Sequence, residues 1–237
     1  MSDIGSVKIF LDSIGYDEKR RASLDIQKGH YPFITISREA GSGGHSLAQA
    51  IIKEIEKEEG DLFQGWQMFD HEICKLISDD PELSVSMRSM LSSECRSEVE
   101  DIVSELIIGT TPQVKVIKKM FRIIRTLATF GKVVIVGRAS SILTRELPTG
   151  IHVRLIASLE NRVKRMSQFL KMDEKEAKKL IKEQDKGRAR LIGTYFNKKI
   201  EDPLLYDVVW NTDTVAIDEI ACALVGMVKH KASLMKK

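Results

Sequence analysis

The sequence predicts an α/β fold of three layers, in which helices cover both faces of a central parallel sheet of five strands. Short apolar runs alternate with amphipathic stretches of helical periodicity along the whole chain, which is the order that βαβ units produce. A glycine-rich stretch joins the first apolar run to the first amphipathic stretch, and no repeat or long Pro/Gly linker divides the 237 residues. We therefore expect one domain over residues 31–237, preceded by an N-terminal extension over residues 1–30.

The first strand is predicted over residues 33–37, a short run rich in β-branched residues. A glycine-rich loop over residues 41–44 comes next, and apolar residues then recur at helical spacing over residues 47–55. Glycines after a strand let backbone N–H groups face an anion, and the start of the following helix adds partial positive charge. The order of strand, loop and helix therefore predicts a phosphate cradle, whereas the four loop residues alone fit a flexible turn equally well.

Four further strands follow along the chain. Each is short and rich in β-branched or aromatic residues, and together they cover residues 66–69, 132–136, 151–156 and 207–210. Between the second and third strands, residues from about 82 to 130 are predicted as mostly helical, with an interruption at residues 109–112. A charged helix is expected over residues 173–198, and a closing helix is expected to start near Ile217.

The candidate site is predicted where polar residues end the strands. In an open parallel sheet, ligands bind outside the carboxyl ends of the strands. Ser37 ends the first strand, Asp70 ends the second, and Gly137 and Arg138 follow the third. We expect these residues to converge beside the glycine loop. Asp70 has a second interpretation, as the N-cap of a helix that starts near residue 71.

Composition and charge narrow the classes of function. Lysine and arginine number 37 against 34 for aspartate and glutamate, so the net charge is only +3. This balance argues against a dedicated nucleic-acid binder, whose basic residues concentrate on one face. Cys74, Cys95 and Cys222 are too widely spaced for a CxxC motif and are predicted as buried, reduced thiols. No apolar stretch resembles a signal peptide or a membrane span, so we expect a cytoplasmic protein without a membrane partner.

Five segments resemble, in chain order, elements of the cytidylate kinase-like family of P-loop NTPases. They read ISREAGSGG, VIVGR, LIASLENRVKR, DKGRAR and YDVVWNT, and they cover residues 36–44, 134–138, 155–165, 185–190 and 206–212. The resemblance implies a P-loop NTPase-like three-layer fold with its central parallel five-stranded sheet. It also implies a helical insert on the acceptor side, over about residues 82–130, and a lid over about residues 171–190.

The resemblance implies a role for residues in each segment. The phosphates of ATP would be bound by Gly41, Ser42, Gly43, Gly44, His45, Ser46 and Arg162. Ser46 aligns with the hydroxyl that contacts Mg²⁺ in these kinases. Arg138, together with Asp70, would bind the acceptor. Arg162, Arg165 and Arg188, oriented by Asp185, would close over the transferring phosphoryl group, because a planar guanidinium binds phosphate oxygens in pairs.

Two plainer interpretations of the lid residues stay open. Arg162 and Arg165 lie on a helix with many charges, where they fit a solvated face as well as a phosphate site. Asp185 and Arg188 have the i, i+3 spacing of an ordinary helix ion pair, which contributes about 0.3 kcal/mol.

Two positions depart from the family pattern. The position of the P-loop lysine is occupied by Gly44, and that of the first loop glycine by Arg38. Where cytidylate kinases carry an arginine just before the lid aspartate, this chain has Gln184. We predict that Arg38 reaches inward across the glycines and supplies part of the positive charge that the lysine provides. In the alternative, Arg38 points to solvent and pairs with Glu39.

The resemblance implies a nucleoside monophosphate kinase that moves a phosphoryl group from ATP to CMP, dCMP or a similar acceptor, with Mg²⁺. Its ligands are then a nucleoside triphosphate and a nucleoside monophosphate. Two alternatives remain on the same scaffold, because a fold does not determine a function. One is a nucleotide-binding regulatory protein with little or no turnover, which the missing lysine favours. The other is a kinase of a different small acceptor.

Overall fold

The computed structural model describes Phe10 and residues 31–70, 93–107, 109 and 111–235. The strands are β1 (Phe33–Arg38), β2 (Gln67–Phe69), β3 (Val133–Val136), β4 (Gly150–Ile156) and β5 (Val208–Asn211). The helices within the described ranges are α1 (Gly44–Ile55), α2 (Ser93–Leu106), α3 (Pro112–Phe130), α4 (Ser140–Leu143), α5 (Leu159–Leu170), α6 (Glu174–Phe196) and α7 (Ile217–Leu234). Short 3₁₀ turns lie at Asp61–Phe63 and Pro203–Leu205.

The five strands form one sheet in the order β2-β3-β1-β4-β5, and every pairing is parallel. β1 is the central strand, with Ile34 paired to Val134 of β3 on one side and to Ile151 of β4 on the other. The predicted parallel sheet with a central first strand is therefore confirmed. Each predicted strand boundary lies within one residue of the observed one.

Helices cover both faces of the sheet, because side chains along a buried parallel strand point alternately to its two sides. Phe33 of β1 packs into a core cluster with α2 and α3. Ile34 and Ile36, on the opposite face of β1, pack with α1 and α7. The predicted three-layer arrangement is thus confirmed, and the carboxyl edge of β1 is held rigidly between the two cores.

The helical regions begin and end at local signals in the sequence. Thr111 accepts a hydrogen bond from the N–H of Val114, and Pro112 occupies the first turn of α3, so the predicted interruption is a helix boundary. Asp173 caps α6 in the same way through the N–H of Glu176. Residues 82–92 of the predicted insert lie outside the described residues.

The predicted burial of the three cysteines can be compared with the structure at one position. Cys222 is free and exposed, so its predicted burial was wrong: it lies on the solvent side of α7. Cys74 and the side chain of Cys95 lie outside the described residues.

Within the described ranges, no helix combines the length and the apolar character that crossing a membrane requires.

A buried polar layer lies between β1 and β4, on the face that carries Phe33. His152 is 3% exposed, and its Nδ1 forms a 2.8 Å hydrogen bond with Oγ1 of Thr35. Its backbone N–H donates to Oδ2 of Asp207 at 2.7 Å. Burial lowers the pKa of His152 from 6.5 to about 4, while the charge of Asp207 opposes that shift. The imidazole is therefore neutral in the folded protein at neutral pH.

We expect His152 to make the protein less stable in acid. The unfolded chain binds a proton at His152 near pH 6.5, whereas the folded chain resists protonation until about pH 4, so stability falls as the pH drops through this window. Between pH 7 and pH 5 the loss from this one group is about 2 kcal/mol. Urea unfolding of His152→Gln should show a pH dependence reduced by that amount. His45→Gln, which alters an exposed histidine, serves as the control, and an unchanged pH dependence in His152→Gln would refute the assignment.

Candidate functional site

The glycine loop turns from β1 into α1 through backbone conformations that favour glycine. Gly41 and Gly43 have φ values of 81° and 91°, in the left-handed region. A Cβ on Gly41 would lie 2.7 Å from the carbonyl oxygen of Arg162, so α5 also packs too closely for a side chain there. No side chain caps α1, and the first N–H groups of a helix have no acceptor within it. The loop and the start of α1 therefore form a site suited to an anion.

The hydroxyl groups of the loop region face in different directions. Ser42 is fully buried, and its Oγ donates to the carbonyl oxygens of Glu39 at 2.9 Å and Leu155 at 3.3 Å. Ser42 therefore holds the loop against β4 rather than presenting its hydroxyl to a ligand. Ser46 and His45 are exposed in the first turn of α1. Nδ1 of His45 lies 3.9 Å from Oδ2 of Asp70, which places the end of β2 beside the loop.

The side chain of Arg38 crosses the carboxyl edge of the sheet between two glycines. A Cβ on Gly44 would lie 2.8 Å from Cγ of Arg38, and a Cβ on Gly137 would overlap its Nη1. Arg38 therefore runs inward, over the position of the P-loop lysine and on to the turn after β3. Burial lowers the pKa of Arg38 to about 10, with further lowering from the charges of Arg188 and Arg138, so it stays charged at neutral pH.

Glu39 does not pair with Arg38. Its Oε2 accepts a 3.0 Å hydrogen bond from the N–H of Ala157 and lies 3.5 Å from Nε of Arg162. The alternative in which Arg38 points to solvent beside Glu39 is not the arrangement found here. Glu39 instead joins the glycine loop to the segment between β4 and α5.

The turn after β3 is strained. Gly137, Arg138 and Ala139 have φ values of 81°, 56° and 57°, so three consecutive residues are left-handed. For the two residues with side chains this costs about 1 kcal/mol each. The N–H of Gly137 donates to the carbonyl of Ile36 at 2.9 Å, which ties the turn to β1. The turn places Arg138 close enough to Arg38 for its charge to lower the pKa of the Arg38 guanidinium.

A cleft of about 350 Å³, including its open mouth, lies between this edge of the sheet and α6. Its polar wall is formed by Ser37, Arg38, Arg138 and Arg188, and its apolar wall by Leu191, Ile192 and Ile200. Three arginines thus line one small volume next to the glycine loop. Such convergence of fixed positive charge is suited to binding and stabilising phosphate groups.

Asp185 ties α6 to the glycine loop. Its Oδ1 accepts from the N–H of Ala40 at 2.7 Å and from Nη1 of Arg188 at 3.0 Å, and its Oδ2 accepts from Nη1 of Arg162 at 2.6 Å. Arg188 also donates to Oε1 of Gln184 at 3.0 Å. The Asp185–Arg188 pair is therefore part of a network that reaches the loop, and the interpretation as an isolated helix ion pair was wrong.

The structure separates the two arginines of α5. Arg162 is 9% exposed, and its Nη1 also donates to the carbonyl of Ala40 at 3.2 Å, so it does not belong to a solvated face. Arg165 donates to Oγ1 and to the carbonyl oxygen of Thr212 at 2.9 and 2.6 Å. Arg165 is thus held at the end of β5 and does not line the cleft. Arg38, Arg138, Arg188 and Asp185 are brought together; Arg165 is not.

One residue that the sequence analysis did not single out as a site residue is linked to the cleft wall through Ser37. Arg154 of β4 is 5% exposed, and its Nη1 donates to Oγ of Ser37 at 3.2 Å. Its guanidinium carbon lies 5.6 Å from the ring centroid of Tyr206. The signal in the sequence is a charged residue inside an otherwise apolar strand, which is rare without a specific partner or function.

The sequence matches the profile of a known family. The profile of the cytidylate kinase-like family matches residues 33–214. The matched region runs from β1 to the turn after β5, and it contains the glycine loop, the strained turn and α6. No curated protein matches the sequence.

Several solved structures are similar to this chain at low sequence identity. An uncharacterized protein from Eubacterium ventriosum is similar with a TM-score of 0.64 and 20% identity, over 84% of this chain and 98% of that chain. A shikimate kinase from Bacteroides thetaiotaomicron has a TM-score of 0.45 and 12% identity, over 84% of this chain and 98% of that chain. A gluconokinase from Sinorhizobium meliloti has a TM-score of 0.44 and 15% identity, over 88% of this chain and 97% of that chain.

We expect Asp185 to control the opening of α6 from the glycine loop. Asp185→Asn removes the charge that holds Arg162, Arg188 and the N–H of Ala40. Loss of about 2 kcal/mol from these charge-assisted hydrogen bonds should speed hydrogen exchange at the Ala40 amide by about 30-fold. Glu183→Gln, at an exposed position of the same helix, should leave that exchange rate unchanged. Equal protection of Ala40 in wild type and Asp185→Asn would show that this tie does not hold the two elements together.

Proposed function

Because the chain belongs to the cytidylate kinase-like family, we propose that it is a small-molecule kinase that transfers a phosphoryl group from ATP to CMP or dCMP. An oxygen of the acceptor phosphate forms a bond to the γ-phosphorus of ATP, and the bond from that phosphorus to the β–γ bridging oxygen breaks. The bridging oxygen keeps the electron pair on ADP, and the acceptor becomes a nucleoside diphosphate. The observation that carries the proposal is the gathering of Arg38, Arg138 and Arg188 around a cleft beside the glycine loop.

The glycine loop fits the phosphates of ATP. The backbone at Gly41 and Gly43 is left-handed, and the backbone of Arg162 leaves no room for a side chain at Gly41. The N–H groups of Gly44, His45 and Ser46 are the first of α1 and would bind the phosphates. Ser42 and Arg162 would act by holding the loop in shape, since their side chains bond to its backbone.

The residues around the loop also fit Mg²⁺. Mg²⁺ in kinases is held mainly by substrate phosphates and water, with one or two protein ligands. The exposed hydroxyl of Ser46 would be one ligand, and Asp70, at the end of β2 beside His45, would be a second. No group of three or more histidine, cysteine, aspartate or glutamate side chains forms a metal site in the part of the chain described here. Bound Mg²⁺ would offset negative charge on the phosphates.

The arginines divide between the two substrates by position. Arg38 runs between the loop and the cleft, so its guanidinium would stabilise charge on the phosphoryl group as it passes from donor to acceptor. Arg138 and Arg188 line the cleft and would bind the acceptor phosphate. Asp185 would orient Arg188. The position of Arg165 at the end of β5 gives no support to a catalytic role.

The second candidate function is nucleotide binding without turnover. It is favoured by one observation, the glycine at the position of the P-loop lysine. A binding protein needs the loop N–H groups but does not need positive charge at the transferring group. The two functions therefore differ in what they require of Arg38.

We expect the purified protein, with ATP and Mg²⁺, to release ADP when CMP or dCMP is added. A coupled assay should compare CMP, dCMP, UMP and AMP with shikimate and gluconate, each at equal concentration, against a reaction without acceptor. Highest activity with a cytidine monophosphate supports the proposal, and highest activity with another compound replaces the acceptor. ATP binding without ADP release on any acceptor would favour the binding protein.

We expect Arg38→Ala to lower kcat by at least about tenfold, or ~1.4 kcal/mol, with little loss of folding stability. Gly44→Lys should recover part of that rate in the Arg38→Ala background. It should not do so in wild type, where the Arg38 side chain fills the space over Gly44. Arg138→Ala is the matched control, and it should raise KM for the monophosphate more than that for ATP. Full activity in Arg38→Ala would exclude a catalytic role for its charge.

A further inference from the structure

Arg154 is a buried cation with no anion beside it. Within the described residues its side-chain partners are Oγ of Ser37 and the ring of Tyr206, and no carboxylate forms an ion pair with it. By contrast, Arg125 is equally buried but donates to the carbonyl of Leu143 at 2.6 Å and lies 3.6 Å from Oε2 of Glu146. An uncompensated buried charge costs several kcal/mol, so a protein retains it where something else supplies the missing charge.

The nitrogens of Arg154 other than Nη1 make no hydrogen bond within the described residues. Buried side-chain atoms without a partner in the described residues are Nε of Arg162, Nε1 of Trp210 and Oδ1 of Asp213. These remaining nitrogens of Arg154 are not among the enclosed atoms, so they are not completely shielded although the residue is only 5% exposed. A guanidinium with unused donors and no counter-charge is suited to a small anion.

The neighbours of Arg154 connect it to the cleft. Ser37 lines the cleft wall and pairs with Arg154 across the β1–β4 ladder. Arg188 lines the cleft from α6, and the charge of Arg154 is one of the causes that lower its pKa, after burial as the largest cause. The two arginines therefore repel each other across the space beside Ser37, and an anion placed there would relieve both.

A chain of hydrogen bonds that starts at Ser37 holds the side chains next to Arg154 in place. Ser37 donates from its Oγ to the hydroxyl of Tyr206 at 3.1 Å, and that hydroxyl donates to the carbonyl of Ile200 at 2.8 Å. Both hydroxyl protons are therefore already donated to protein acceptors. A ligand bound beside Ser37 would therefore interact with the positive charge of Arg154 and not with a hydroxyl donor.

We propose that Arg154 completes an anion subsite in the acceptor half of the cleft, and that the acceptor brings an anionic oxygen group, such as a phosphate monoester, into contact with it. The inference that the bound anion is the phosphoryl acceptor rests on the proposed function. The anion subsite itself requires only binding and no turnover. With this subsite, the acceptor is expected to be an anion and not a neutral alcohol.

Titration of inorganic phosphate, with melting temperatures measured alongside, tests the subsite without any turnover. Arg154→Met should weaken phosphate binding by at least about tenfold, and should not lower the melting temperature measured without phosphate. Arg154→Lys keeps a charge there and should bind phosphate within about threefold of wild type. Arg125→Met, the matched buried arginine, should lower the melting temperature and leave the phosphate affinity unchanged.

Each other outcome overturns the subsite. Unchanged phosphate affinity in Arg154→Met would show that the arginine binds no anion. A chain that no longer folds after Arg154→Met would show that the arginine serves the fold, which contradicts the premise of an uncompensated charge. The proposed function is judged separately on the wild-type protein. Phosphate affinity that stays unchanged in Arg154→Met, in a protein that turns over a monophosphate, overturns only the subsite. Phosphate binding that depends on Arg154, in a protein without turnover on any acceptor, overturns only the kinase.

Discussion

The path of one side chain sets the geometry of the whole site. Arg38 leaves the end of the central strand and crosses to the turn after β3, and this is sterically allowed only because Gly44 and Gly137 lack side chains. The same path explains why the loop has no lysine at Gly44, since a long side chain there would collide with Arg38. A cation from the first position of the loop thus occupies the space that a cation from its seventh position would fill. The loss of the P-loop lysine and the presence of Arg38 are two sides of one arrangement.

Positive charge is concentrated at this edge at the expense of stability. The charges of Arg138 and Arg188 oppose that of Arg38, and the charge of Arg154 opposes that of Arg188. Asp185 offsets part of this repulsion, while two left-handed residues after Gly137 add backbone strain. Selection for stability alone would not retain this arrangement. Selection for binding phosphate groups would retain it, because bound phosphates would offset the repulsion.

Local patterns predicted most of the fold, and long-range contacts account for what they missed. The strands and the glycine loop follow from periodicity and from residue types that act within a few positions, so their boundaries were predicted within one residue. The tie from Asp185 to Ala40 spans 145 positions in the chain, and no spacing rule connects them. The capture of Arg165 by Thr212 depends likewise on how α5 packs against β5. The sequence analysis did not single out Arg154, because the alternation of apolar and polar residues in a strand shows only how polar each residue is. It does not show whether a buried charge has a partner in the folded protein.

A crystal structure with ADP, Mg²⁺, aluminium fluoride and CMP would test the central claim most directly, because the fluoride mimics the phosphoryl group in transfer. With ADP on the glycine loop, the guanidinium of Arg38 should lie within about 3 Å of the fluoride, and Arg138 should contact the phosphate of CMP. The account would be contradicted if the nucleotide phosphates occupied the loop while Arg38 contacted neither the fluoride nor a phosphate oxygen.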